Sequence, residues 1–236
     1  MVLTVIIPVY NEEKFVESLL REVFDTPMMK EIIVVNDGSS DGTKKVLEAI
    51  ERDVANSPVL NICRLHIVHK GKNEGKGAAI ITGAKIATGD IVVIQDADLE
   101  LSPKEYAKLI EPFEKLNADI VFGSRFQMAG TRRVFSTHKY LGNRLLTIIS
   151  NIFSGIYLTD METCYKLFKR EVIQSFNLES QRFGIEPEMT AKSAKGNYKI
   201  YEVPISYNPR THGEGKKIGW KDGLEALVAI VRYNWF

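Results

Sequence analysis

The sequence predicts an α/β protein whose mostly parallel central sheet is covered by helices on both faces. Short apolar runs rich in Val and Ile alternate with amphipathic helical segments five times over about the first 120 residues. The apolar runs are followed by clusters of Gly, Asn and Asp, which are typical of the loops at strand ends. Such alternation is typical of a parallel sheet buried between two layers of helices.

The elements can be assigned in chain order. Strands are predicted at residues 2–9, 32–35, 65–68, 91–94 and 120–122. Helices with apolar faces are predicted near residues 15–24, 46–50, 78–87, 103–116 and 141–156. Asn11 is predicted to cap the first helix, and Ser102 with Pro103 to start the fourth. A late strand pair near residues 198–206 and a final helix complete the prediction.

Composition narrows the class of protein. A length of 236 residues favours one large domain, and 44% hydrophobic with 26% charged residues is ordinary for a soluble globular chain. The net charge of +1 gives no sign of nucleic-acid binding. Cys63 and Cys164 have no metal-ligand spacing, so we expect an intracellular protein without disulfides, with Cys164 as a small core residue. We also expect neither a signal peptide nor a membrane-spanning segment.

The most informative stretch is the acidic loop, residues 95–101. Asp96, Asp98 and Glu100 alternate directly after the apolar run at 91–94. If the chain stays extended there, the three carboxylates point the same way, and they repel each other unless a cation lies between them. Oxygen ligands of this kind favour Mg²⁺ or Mn²⁺. A solvated acidic turn is the alternative that the residues alone leave open.

Two further loops follow predicted strands. Asp37 can accept hydrogen bonds from a ribose or a base, although Asp-Gly is also a common turn. The glycine-rich loop, residues 71–77, places Lys76 at the start of a helix, where exposed backbone N–H groups would suit a diphosphate. It is not a Walker A loop, because its spacing is one residue short and no Ser or Thr follows Lys76. A flexible charged loop is the alternative, but the placement of all these loops after successive strands favours one common site.

Four short motifs carry a family resemblance. They are residues 4–12 (TVIIPVYNE), 35–43 (VNDGSSDGT), 73–78 (NEGKGA) and 96–98 (DAD). Together they resemble the motifs of family 2 glycosyltransferases with the GT-A fold, most closely the dolichyl- and polyprenyl-phosphate mannose and glucose synthases. The resemblance covers essentially the whole chain. It implies a single GT-A domain, residues 1–236, with a nucleotide-sugar-binding half at about 1–125 and an acceptor-binding half at about 126–236.

The resemblance implies an inverting, metal-dependent transfer from a nucleotide-diphosphate sugar. The implied nucleotide-binding residues are Pro8, Tyr10, Glu12, Asp37, Lys76 and Asp96. The implied metal ligands are Asp96, Asp98 and Glu100, and the metal and Lys76 would stabilise charge on the leaving diphosphate. Mannose synthases of this group often carry Gln where Glu100 stands here. UDP-glucose is therefore the favoured donor, and GDP-mannose comes next.

The implied acceptor is a polyprenyl phosphate. Because a phosphate is already anionic, it needs cations rather than a strong base. The candidate cations are Arg125, Arg144, Arg210 and Lys216, although surface Arg and Lys are often merely solvated. A soluble or polysaccharide hydroxyl acceptor would instead need a carboxylate base, for which Glu186 and Glu188 are available if they do not simply start a helix. A non-catalytic nucleotide-sugar binding module is the third hypothesis.

Two segments bear on membrane binding. Residues 141–156 form an apolar helix that follows a basic stretch at 132–139, and residues 220–236 combine helical apolar spacing with four aromatic residues. Both suit an interfacial helix at an anionic bilayer, whereas a buried core helix is the alternative for the first. The first interpretation predicts a peripheral enzyme at the cytoplasmic face of the membrane.

Overall fold

The computed structural model describes residues 1–56, 62–127, 136–209 and 220–235. These residues contain one seven-stranded sheet. Its strands are β1 (Leu3–Val9), β2 (Lys30–Asn36), β3 (Ile62–His69), β4 (Ile91–Ile94), β5 (Ile120–Ser124), β6 (Lys166–Lys169) and β7 (Ile200–Pro204). In space the strands follow the order β3-β2-β1-β4-β6-β5-β7. The predicted mostly parallel α/β architecture is confirmed, since only β6 runs antiparallel to its neighbours.

Helices connect and cover the strands. They are α1 (Val16–Phe24), α2 (Thr43–Asn56), α3 (Lys76–Ile86), α4 (Tyr106–Leu116), α5 (Thr137–Ser154), α6 (Arg170–Ser175), α7 (Ile185–Lys195) and α8 (Trp220–Trp235). A short 3-10 turn, Pro103–Glu105, precedes α4, and Ser102 caps it as predicted by accepting a hydrogen bond from the backbone N–H of Lys104. All residues of β1, β2, β4 and β5 are buried, so the apolar runs of the sequence form the core of the sheet.

Strand register explains why the loops of interest meet. Val9, the last residue of β1, lies beside Asn36, the last residue of β2. On the other side of β1, Ile6 pairs with Ile94, the last residue of β4. Because these strands are parallel, the segments that follow all three leave the sheet at one edge, where open α/β sheets bind ligands.

The second half of the sheet differs from the prediction in two ways. The expected strand pair near residues 198–206 is the single strand β7, which pairs in parallel with β5. Strand β6, which inserts between β4 and β5, was not predicted. Its four residues begin and end with lysine, and Lys166 is nevertheless fully buried. The backbone carbonyls of Met161 and Thr163 accept hydrogen bonds from its ammonium, which makes this burial tolerable.

The start of the first helix also differs from the prediction. Helix α1 begins at Val16, and Asn11 does not cap it. Asn11 has a positive φ of 53°, a conformation that Asn tolerates better than most residues. Its side-chain oxygen accepts a hydrogen bond of 2.8 Å from the backbone N–H of Ser40. Asn11 therefore ties the end of β1 to the loop after β2.

Candidate functional site

Asp37 holds the glycine-rich loop against the end of β2. Its buried carboxylate accepts hydrogen bonds from the backbone N–H groups of Glu74 and Gly75, at 3.0 and 2.7 Å. The ammonium of Lys70 lies 2.9 Å from the other carboxylate oxygen. We expected exposed N–H groups here for a diphosphate, but Asp37 uses two of them. The loop is thus folded into a fixed shape by a carboxylate rather than left as a flexible segment.

Lys76 pairs with two carboxylates, and we call Lys76, Asp96 and Glu186 the Lys76 cluster. Lys76 is the first residue of α3, and its ammonium lies 2.8 Å from Asp96 and 2.7 Å from Glu186. Burial opposes its charge, but Asp96 and the other negative groups around it outweigh burial and raise the pKa of Lys76 well above its ordinary value. The structure therefore brings together three predicted site residues from the glycine-rich loop, the acidic loop and α7.

The acidic loop does not stay extended. Leu99 has a positive φ of 58°, and the backbone N–H of Glu100 donates to the carboxylate of Asp98 at 3.1 Å. This turn sends Glu100 towards Tyr207, whose hydroxyl donates to it at 2.9 Å. The expectation that three alternating carboxylates point the same way is wrong, because a left-handed residue interrupts the strand-like spacing.

The geometry of the acidic loop determines which of its carboxylates could bind a divalent metal. Within the described residues, no group of three or more His, Cys, Asp or Glu side chains is arranged to hold a metal ion. Mg²⁺, however, is usually bound by one or two carboxylates together with substrate phosphates. Asp96 and Asp98 supply two partly exposed carboxylates in the acidic loop, and Asp96 lies beside Lys76, so they fit a metal that a diphosphate helps to bind. Glu100 as a third ligand stays a prediction.

The residues predicted to line the nucleotide lie at the end of β1. Pro8 is buried within the strand, and Tyr10, directly after it, has 39% of its surface exposed. Glu12 is nearly buried, and its backbone N–H donates to the Thr43 hydroxyl at 3.0 Å. Tyr10 is thus a partly exposed aromatic residue at the sheet edge where the loops of interest meet. The role of these residues in nucleotide binding stays a prediction.

Arg125 lies at the end of β5 and is held on several sides. Asp160 accepts two hydrogen bonds from its guanidinium, at 2.7 and 2.8 Å, and one from its backbone N–H at 2.9 Å. The ring of Tyr207 lies 5.3 Å from the guanidinium carbon. Burial works against the charge, but Asp160 prevails and raises the pKa of Arg125. A fixed and permanently charged guanidinium of this kind can bind an anion.

Glu202 of β7 fixes the segment that carries Asp160. Its carboxylate accepts hydrogen bonds from the backbone N–H groups of Thr159 and Asp160, at 2.8 and 3.1 Å. Arg144 of α5 reaches the same segment and donates to the Thr159 carbonyl at 3.3 Å. Arg125 and Arg144 are therefore brought together around Thr159 and Asp160. Arg210 and Lys216, the other predicted cations, lie outside the described residues.

Glu186 and Glu188 both lie in the first turn of α7 but have different surroundings. Glu188 accepts hydrogen bonds from the backbone N–H groups of Glu179 and Ser180 and pairs with Lys192 at 2.7 Å. Glu188 thus ties down the segment before its own helix. Glu186 faces Lys76 instead. Of these two predicted carboxylates, Glu186 belongs to the Lys76 cluster, whereas Glu188 pairs with Lys192.

Sequence reasoning assigned no role to the charged residues of the segment 160–166. Burial, followed by the charge of Glu186, raises the pKa of Glu162 to about 7. Burial also lowers the pKa of Lys166 to about 8. Cys164 between them is buried as predicted, and burial raises the pKa of its thiol. The stretch DMETCYK also resembles the family, and this was the available signal, although it gave no role to its individual charges.

An apolar face lies on α5 and α8, which pack against each other. We use "apolar face" for the exposed side chains of Leu141, Leu145, Ile148, Ile152, Leu224, Val228 and Trp235. Their spacing along each helix places them in one stripe per helix. Tyr233, predicted as a surface aromatic, accepts a hydrogen bond from the Ser180 hydroxyl at 3.0 Å. None of the helices in the described parts of the chain has the length and hydrophobicity that a bilayer crossing requires.

Carboxylates and cations gathered at the carboxyl edge of a mostly parallel sheet are typical of α/β enzymes, which bind ligands at that edge. Residues 4–176 match the model of glycosyl transferase family 2, and the chain belongs to that family. It is a glycosyltransferase with the GT-A fold. The family resemblance of its motifs is thereby confirmed.

Two curated relatives match nearly the whole chain. Undecaprenyl-phosphate mannosyltransferase of Micrococcus luteus is 29% identical over 97% of this chain and 92% of its own. Polyprenol monophosphomannose synthase of Mycolicibacterium smegmatis is 27% identical over 98% of this chain and 86% of its own. Among solved structures, glucosyl-3-phosphoglycerate synthase of Mycobacterium tuberculosis, in complex with Mn²⁺, UDP and glucosyl-3-phosphoglycerate, superposes with a TM-score of 0.71. It is 18% identical and covers all of this chain and 80% of its own.

Proposed function

We propose that the protein transfers a hexose from a nucleotide-diphosphate donor to a polyprenyl phosphate at the membrane surface. The observation that carries this proposal is the match, over nearly the whole chain, to two relatives named for polyprenyl-phosphate and polyprenol substrates. The geometry supports it, because the site contains a buried guanidinium, that of Arg125, which suits an anionic acceptor.

On the donor side, the diphosphate lies near Lys76 and the acidic loop. Asp96 and Asp98 would hold a divalent metal, Mg²⁺ or Mn²⁺, which when bound would supply positive charge to the leaving diphosphate. Lys76 adds a fixed ammonium at the N-terminus of α3, where negative charge is favoured. Tyr10 and Glu12, at the end of β1, face the nucleoside. These groups stabilise charge that develops as the bond to the sugar breaks.

On the acceptor side, the phosphate is itself the nucleophile and needs no strong base. Arg125 and Arg144 bind it, with Arg210 and Lys216 as further candidates. Glu188 is unsuited to act as a base, because its oxygens bind two backbone N–H groups and Lys192. Attack from the face opposite the diphosphate inverts the anomeric centre.

The sequence and the names of the two curated relatives favour different donors. Glu100 favours UDP-glucose, as the sequence predicted, whereas the two curated relatives are named for mannose. Both UDP-glucose and GDP-mannose therefore enter the decisive experiment. We place the enzyme at the cytoplasmic face of the membrane, since nucleotide sugars are used there and the apolar face offers a surface for lipid.

The test is transfer of label to lipid. Radiolabelled UDP-glucose or GDP-mannose is incubated with the protein, polyprenyl phosphate in detergent, and Mg²⁺ or Mn²⁺. We expect metal-dependent label in the organic phase with one of the two donors. Donor hydrolysis without a lipid product would reject the polyprenyl acceptor and favour a hydroxyl acceptor with Glu186 as base.

A variant identifies the acceptor site. Arg125→Lys removes the bidentate guanidinium, so the KM for polyprenyl phosphate should rise about tenfold or more. The KM for the donor should change little. Arg21→Lys is the matched control, because Arg21 forms an exposed pair with Glu17 on α1. Equal effects on both substrates would contradict an acceptor role for Arg125.

A further inference from the structure

Three polar side chains in the segment 160–166 and in α7 have buried atoms without hydrogen-bond partners. Among the described residues, Glu162 Oε1, Thr163 Oγ1 and Glu186 Oε2 are shielded from solvent and form no hydrogen bond. The Glu186 side chain is only 6% exposed, and its other oxygen binds Lys76. Buried polar atoms are nearly always hydrogen bonded in folded proteins. These three atoms therefore point to a partner that arrives with a substrate.

The segment that carries Glu162 connects the two sides of the site. Asp160, two residues before Glu162, binds Arg125 on the proposed acceptor side. The thiol of Cys164, two residues after Glu162, lies 3.7 Å from the carbonyl oxygen of Ile94, which directly precedes the acidic loop on the proposed donor side. In any transfer, the sugar lies between the leaving diphosphate and the attacking group, so Glu162 belongs to a segment that passes between these two positions.

We infer that Glu162, together with the unpartnered oxygen of Glu186, accepts hydrogen bonds from hydroxyl groups of the transferred sugar and selects a neutral hexose. The inference rests on the proposed function for the positions of donor and acceptor. Carboxylates form strong, charge-assisted hydrogen bonds with hydroxyl groups. A uronic acid would bring a further carboxylate against these two, and like charges at close range repel.

The experiment measures binding and uses no lipid. Titration calorimetry with Mn²⁺ compares UDP, GDP, UDP-glucose, GDP-mannose and UDP-glucuronic acid on the wild-type protein, Glu162→Ala and Glu162→Gln. Glu171→Gln is the control, because Glu171 is exposed on α6. We expect Glu162→Ala to weaken the hexose donor by about tenfold or more while the corresponding free nucleotide changes less than about twofold. Glu162→Gln should reduce the discrimination against UDP-glucuronic acid.

A second arm uses single-deoxy analogues of the donor. On the wild-type protein, at least one analogue should bind about tenfold more weakly than its parent. On Glu162→Ala, loss of that same hydroxyl should have no further effect, which is the result of a double-mutant cycle between interacting groups. Equal weakening of free nucleotide and donor, or no weakening of either, would overturn the inference.

Failure of the inference can be distinguished from failure of the proposed function. If the Glu162 variants do not fold, the wild-type protein still tests it, because equal binding of every deoxy analogue and its parent would overturn it. Failure of the lipid-labelling experiment with normal donor binding would reject the polyprenyl acceptor, and the donor measurements would stand.

Discussion

Lys76 shows how one cation organises several loops. Its ammonium joins a carboxylate from the acidic loop to one from α7, although the three residues are far apart in the sequence. Glu186 is almost fully buried, and its carboxylate lies 2.7 Å from this ammonium. An ion pair of this kind is costly to break from one side, because the remaining charge stays buried without compensation.

Lys76→Met should therefore destabilise the protein by about 3 kcal/mol, at the lower end for a broken buried pair, because Asp96 is partly exposed. The measurement is the free energy of unfolding in urea at pH 8. Lys76→Met combined with Glu186→Gln should recover much of the loss, since the double variant no longer buries an unpaired carboxylate.

Lys115→Met is the matched control for this prediction. Lys115 forms an equally short pair with Glu111, at 2.6 Å, but both side chains are exposed on α4. Exposed pairs contribute little to stability, so this variant should be nearly neutral. Equal effects of the two substitutions would show that burial does not set the strength of the Lys76 cluster.

Residue types and strand ends predicted which carboxylates lie near the site, but not what each one does. Asp96, predicted as a metal ligand, and Glu186, predicted as a possible base, both contact Lys76. Asp37 and Glu188 instead hold loops by accepting backbone N–H groups. A sequence shows that a carboxylate is present, whereas its partner here is the backbone of a loop whose path depends on the whole fold. Glu162 was missed because charges that act on it, those of Glu186 and Arg125, are distant in the sequence.

At the scale of elements, the close packing of α3 against the segment before α7 sets the position of Lys76. The backbone N–H of Ala78 donates to the Gln181 carbonyl at 2.9 Å. A Cβ added to Gly77 would overlap the carbonyl oxygen of Ser180. The absence of a side chain at Gly77 therefore lets the first turn of α3 contact this backbone directly.

Gly77→Ala should destabilise the protein, although alanine is the better helix former by about 1 kcal/mol. The backbone of Ser180 would have to move, and overpacking of this kind costs about 1–3 kcal/mol. Gly142→Ala in α5 is the matched control, since its Cβ would meet no atom within 4 Å. It should raise the melting temperature, and a rise for both variants would contradict the close packing of α3.

Some strands and helix ends could be predicted from the sequence, and others could not. The strands β1 to β5 each contain a short apolar run, and each was predicted from it. Strand β6 was missed, because its lysines contradict a buried strand until the carbonyls of Met161 and Thr163 are in place around Lys166. Asn11 was assigned to a helix cap, but its pairing with the loop after β2 is a tertiary contact that no local pattern contains.

At the scale of the whole molecule, the charged site and the apolar face lie on different elements of one chain. The site gathers at the carboxyl edge of the sheet, and the apolar face is formed by α5 and α8. Arg144 connects them, because it belongs to α5 and donates to the segment that carries Asp160. A lipid phosphate whose chain lies along the apolar face would approach the site from this side.

The proposed contact with membrane predicts a loss of vesicle binding in Ile152→Glu. Ile152 is 74% exposed at the apolar face. Burying an Ile side chain is worth about 1.5 kcal/mol or more, so its replacement by a charged residue should weaken binding about tenfold. The measurement is sedimentation with vesicles that contain an anionic phospholipid. Leu116→Glu on α4 is the control, because Leu116 is 51% exposed but lies outside the apolar face. Equal losses for both variants would show that the apolar face is not the membrane contact, because a general change in surface charge would then explain the effect.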